Sequence, residues 1–91
     1  MPLDIQEKFR IAIHTNDTAR IERLAKLEAP SFETVKYAID KAKKFSCVRT
    51  RQTLILVMDQ AQLTDSEKYQ IKNIIVWGMG SQVTALLEKY V

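Results

Sequence analysis

Ninety-one residues contain two glycines, two prolines, one cysteine, one histidine and one tryptophan. So little glycine and proline leaves few tight turns, which argues against a turn-rich β architecture and for a mostly helical one. A lone Cys47 has no internal disulfide partner. With no apolar amino-terminal stretch resembling a signal peptide, a reducing cytosol is the expected setting. The longest unbroken apolar run, Leu54 to Met58, falls far below the roughly 20 residues needed to span a bilayer, so no membrane association is expected. Catalytic signatures are equally scarce. His14 and Cys47 lack partners at zinc-like spacing. Gly78-Met79-Gly80 lacks the lysine of a phosphate loop and reads as a turn. The carboxylates are scattered, and Asp65 and Glu67 are explained by charge near a helix start. His14 beside a helix end and Cys47 filling a small apolar gap are structural readings that need no chemistry. No enzyme activity and no cofactor are expected.

What is present is ordinary globular composition, 46% apolar and 27% charged, in a chain of single-domain length. Helix start signals recur at short intervals. Asp4 with Glu7, and Thr64 with Glu67, have the spacing of a capping box. Asn16 or Asp17, Ser31, Ser46 and Ser81 are further N-cap candidates.

Between these signals run segments of helical periodicity. Ile5, Phe9, Ala12 and Ile13 share a face in the first; Ile21, Leu24, Ala25 and Leu27 share one in the second. Phe32, Val35, Ala38, Ile39, Ala42 and Phe45 form a continuous stripe in the third, with Glu33, Lys36, Asp40, Lys43 and Lys44 turned away. The fourth segment, residues 47–62, is apolar nearly all round through Leu-Ile-Leu-Val-Met and predicts a central helix covered on more than one side. The fifth uses Tyr69, Ile71, Ile74, Ile75 and Trp77, ending near Gly78, which suits a left-handed C-cap. The last uses Val83, Leu86, Leu87 and Tyr90. Short connections force neighbouring helices back on each other, so the expectation is an all-α fold of about six short helices in three antiparallel pairs, a compact solenoid-like bundle.

An internal echo points the same way. Residues 9–26 lie over residues 71–88 without a gap, matching Ile13 with Ile75, Asn16 with Gly78, Ile21 with Val83 and Leu24 with Leu86. The offset of 62 residues is twice a typical two-helix repeat length of about 31. Residues 12–27 (AIHTNDTARIERLAKL) and 78–90 (GMGSQVTALLEKY) resemble the turn and second helix of ankyrin-type repeats. The Thr-Pro-Leu-His opening of those repeats occurs nowhere in the chain, so the likeness supports helix-pair stacking. What it implies for function is a protein-binding surface.

The charge is uneven. Residues 36–51 carry six basic side chains against Asp40, a local +5, while the rest of the chain sums to −2. Within this stretch, KAKKFSCVRTR (residues 41–51) interleaves Lys41, Lys43, Lys44, Arg49 and Arg51 with Phe45, Val48 and Cys47. The lysines favour the end of the third helix through its dipole, whereas Arg49 and Arg51 in the first turn of the fourth oppose theirs. That opposition hints at an anionic partner held by guanidinium forks. Three readings remain: a solvated basic face, a patch for the acidic surface of another protein, and contact with nucleic-acid phosphates through the same cluster. Tyr37, off the main stripe of its helix, and Trp77, near a helix end, are candidate aromatic anchors, with core packing as their alternative role. The expected function is a small adaptor or inhibitor that binds another protein. A homodimer burying the Leu54–Met58 face is a further possibility.

Overall fold

A computed structural model describes residues 4–45, 47–78, 85 and 87–90. Five α-helices account for most of them: α1 (Ile5–His14), α2 (Thr18–Ala25), α3 (Phe32–Lys44), α4 (Val48–Gln60) and α5 (Asp65–Gly78), with a short 3-10 turn at Glu88–Tyr90. There is no strand among the described residues. Much of the expected sixth helix, including Val83 and Leu86, and the caps proposed at Ser46 and Ser81 lie outside them.

All of these helices but α4 begin where a short polar side chain takes up a first-turn amide. Asp4 Oδ1 accepts from Glu7 N at 2.9 Å, Asp17 Oδ1 from Arg20 N at 3.2 Å, and Ser31 Oγ from Thr34 N at 3.3 Å. Thr64 and Glu67 complete a reciprocal capping box: Thr64 N donates to the Glu67 carboxylate at 2.9 Å, and Glu67 N to Thr64 Oγ1 at 3.2 Å.

The end of α1 is equally defined. Asp17 N donates to Ala12 O at 2.8 Å and Asn16 N to Ile13 O at 3.1 Å, the paired bonds of a Schellman motif. Its left-handed residue is Asn16, at φ 56°. The glycine expected to play this part at the end of α5 does not: Gly78 closes the helix, and no described glycine has positive φ.

α1 packs against α2 and α3, α2 against α4, and α3 against α4 and α5. Gln6, in the first turn of α1, accepts from Ser31 N and Thr34 Oγ1 at the start of α3, while the end of α1 receives Lys41 from the end of α3. The two helices therefore run parallel, each bonded to the other near both ends. The core between them is Phe9, Ile13, Val35, Ile39 and their neighbours, closed by Ile21 and Leu24 from α2, Leu54 and Val57 from α4, and Ile71 from α5. A radius of gyration of 12.3 Å matches the roughly 12 Å expected of a globule this long. Leu54, Val57 and Met58 are buried within the chain itself, and Ile55 and Leu56 are half-buried. None of the described helices is long and apolar enough to cross a membrane.

Four side chains expected to be buried are exposed. Leu27 lies past the last turn of α2, where the backbone bends back through Leu27 N to Leu24 O. Phe45 is the C-cap of α3; its φ of −131° and ψ of 80° swing the ring off the stripe and leave it 61% exposed. Tyr69 precedes buried Ile71 by two residues, about 200° around the helix, and so faces solvent. Cys47 fills no apolar gap: it is the N-cap of α4, held in extended conformation outside the helix.

Candidate functional site

Lys43 and Lys44 end α3 and Arg49 lies in the first turn of α4. Only residues 45–47 separate the two helices, so their facing ends lie within about 15 Å of chain. Lys43, Lys44, Phe45, Val48 and Arg49 are exposed, and Arg51 is half-buried. Lys36, half a helix earlier, pairs with Glu33 at 3.1 Å and stands 4.8 Å above the ring of Phe32.

Lys41 belongs to a different arrangement. Its Nζ donates to Ile13 O at 2.6 Å, His14 O at 2.7 Å and Asn16 Oδ1 at 3.2 Å. A lysine read as stabilising the end of its own helix thus caps the end of its neighbour, where the α1 dipole favours a cation. Burial lowers the Lys41 ammonium pKa from its ordinary value, with the charge of the Cys47 thiolate pulling it the other way. Thr53 Oγ1, one turn into α4, also donates to Asn16 Oδ1 at 3.0 Å and to Arg49 O at 2.9 Å. Asn16 is therefore the junction of α1, α3 and α4. The sequence pointed to Asn16 as an alternative N-cap and as the counterpart of Gly78, and asparagine's tolerance of left-handed backbone fits the second role, but nothing in it marked a junction of three helices. Gln6, which also donates to Glu28 Oε2 at 2.8 Å and Ala29 O at 3.1 Å, gave no signal at all.

The start of α4 is less well satisfied. Cys47 makes no side-chain cap hydrogen bond, and no acidic residue lies in the first turn. Its Sγ sits 3.1 Å from Thr50 Oγ1. That hydroxyl, followed by backbone amides of the first turn, lowers the thiol pKa below its ordinary value.

Tyr37 is half-buried at the edge of the core, where it lines two open grooves along α3. Trp77 belongs to α5, but its side chain falls outside the described part of the structure. A third open groove, of about 380 Å³, lies between the end of α4 and Tyr90. The Tyr90 hydroxyl donates to the Asp59 carboxylate, and burial, then Asp59, pushes the phenol up to about 12. No group of three potential metal-ligating side chains occurs among the described residues. No protein-family model matches the chain, and no curated protein or solved structure does.

Proposed function

We propose that this chain is a non-catalytic binding module of the cytosol, built as a stack of helix pairs like the ankyrin-type repeats it resembles, that docks the acidic surface of another protein. The contact is the cationic end formed by Lys43, Lys44, Arg49 and Arg51. Lys41 is assigned to the fold, because its ammonium already serves the end of α1. The observation that carries this reading is the start of α4. A helix that lacks a side-chain cap and a first-turn acid gains nothing locally from Arg49, whose charge opposes the dipole. A carboxylate brought by a partner would supply the missing negative charge and accept from the guanidinium fork.

Affinity capture from cells with the wild type beside a Lys44→Glu, Arg49→Glu double variant tests this. Specific proteins retained by the wild type and lost by the variant are expected; identical captures overturn it. The second reading, phosphate contact, draws on the same helix start, since helix N-termini accept phosphate readily. A mobility shift with arbitrary duplex that collapses between low and moderate salt would favour it over the first.

A further inference from the structure

The two grooves beside α3, about 460 and 270 Å³, share Tyr37 and Asp40 and so adjoin along the helix as the two parts of an open surface channel. Arg10 of α1 and Ile74 of α5 bound its larger part; His14, Lys44 and Phe45 bound the smaller. From Glu33 to Phe45 the channel follows about 18 Å of helix, the length of five or six extended residues. Setting aside Lys41, its lining carries Arg10, Lys36, Lys43 and Lys44 against Glu33 and Asp40. Glu33 is already matched by Lys36 at 3.1 Å. That leaves Asp40, an acceptor in the middle of the channel, between Arg10 and Lys43 on one side and Lys44 on the other.

We propose that this channel binds an extended acidic peptide segment containing an apolar residue. The segment's carboxylates would meet Arg10, Lys43 and Lys44, while a backbone amide would donate to Asp40. Its apolar side chain would lie against Tyr37 and either Ile74 or the exposed ring of Phe45. A peptide fits this lining better than a nucleic acid does. A peptide can present a neutral backbone N–H to Asp40 between its carboxylates, whereas a nucleic-acid strand carries a phosphate at every nucleotide and would set one of them against Asp40. The proposal rests on the reading that the chain binds an acidic protein, and moves the main contact from the start of α4 to the side of α3.

Panning the full chain against random displayed peptides of about twelve residues supplies the probe. The selected peptide's affinity is then measured on the wild type, Arg10→Glu and Arg49→Glu, and its binding is mapped by amide chemical shifts. The expected results are a consensus of Asp or Glu around one aliphatic or aromatic residue, and shifts centred on Tyr37, Asp40 and Ile74. Arg10→Glu should weaken binding by about tenfold and Arg49→Glu by less than about twofold. The shift map answers the question even if Arg10→Glu does not fold. A consensus without acidic residues overturns the channel, as does a short DNA duplex that alone shifts Tyr37 and Asp40. Shifts confined to residues 47–51, with affinity lost only in Arg49→Glu, overturn the channel and leave the cationic-end reading standing. Recovery of no peptide overturns the channel and leaves the cationic-end reading to the capture experiment.

Discussion

Residues 15–17 and residues 45–47 each join two helices with three residues, yet they meet their neighbours in opposite ways. The first connection is saturated: Asn16 takes the left-handed conformation, Asp17 caps α2, and Lys41 and Thr53 reach in from α3 and α4. Every strong acceptor at the end of α1 has a donor aimed at it. In the second connection Phe45 and Cys47 are exposed, and α4 starts with neither a side-chain cap bond nor an acidic residue. Equal length therefore says nothing about role. The first connection is part of the core's polar framework, and the described residues of the second are exposed surface.

Substitution at the first connection should have the largest effect. Asn16→Ala removes both the amide side chain that helps asparagine tolerate left-handed backbone and the acceptor shared by Lys41 and Thr53, so a loss of about 3 kcal/mol is expected in chemical denaturation. Asn16→Gly keeps the backbone and loses only the acceptor, so it should cost about 1 kcal/mol less. Equal losses would mean that the side-chain junction alone matters. Next comes Lys41→Met, which leaves the carbonyls of Ile13 and His14 without their ammonium. A loss of about 2 kcal/mol is expected, and a neutral result would show that water caps α1 as well as Lys41 does.

At the second connection the sign should reverse. Arg49→Glu puts an acid into the first turn of α4 and should stabilise the chain by about 0.5 kcal/mol. A destabilised variant would remove the argument that Arg49 is kept for binding. The smallest effect is chemical. Cys47, exposed with a lowered pKa, should react with iodoacetamide along a pH profile that inflects below that of a free cysteine side chain. The same lowering gives the fold a small advantage above the thiol's ordinary pKa, lost as the pH falls through the lowered value. An inflection at the ordinary value would show that the Thr50 contact does not form in solution.

The stripe Phe9, Ala12, Ile13 and the stripe Val35, Ala38, Ile39, Ala42 were legible because a helix-period pattern states its own buried side. Asp4, Asp17, Ser31 and Thr64 were legible as caps because each bonds an amide within three residues of itself. Phe45 and Leu27 fitted the periodicity and still came out exposed, since the pattern cannot say where a helix stops carrying its face. Of the basic stretch, the placing of Lys43, Lys44 and Arg49 on either side of one short helix connection was legible. That Lys41 leaves the group did not, because its partners lie 25 to 28 residues away.

Composition, periodicity and cap spacing by themselves determined that this chain is all-helical, where most of its helices begin, and which stripes form the core, because each depends on neighbours within a turn or two. Only the tertiary structure decided that Gln6 ties α1 to the start of α3, that Asn16 joins three helices, and that Arg10 and Ile74 border a channel along α3. Those relations link residues far apart in the chain. No local pattern encodes them until packing has brought the helices side by side.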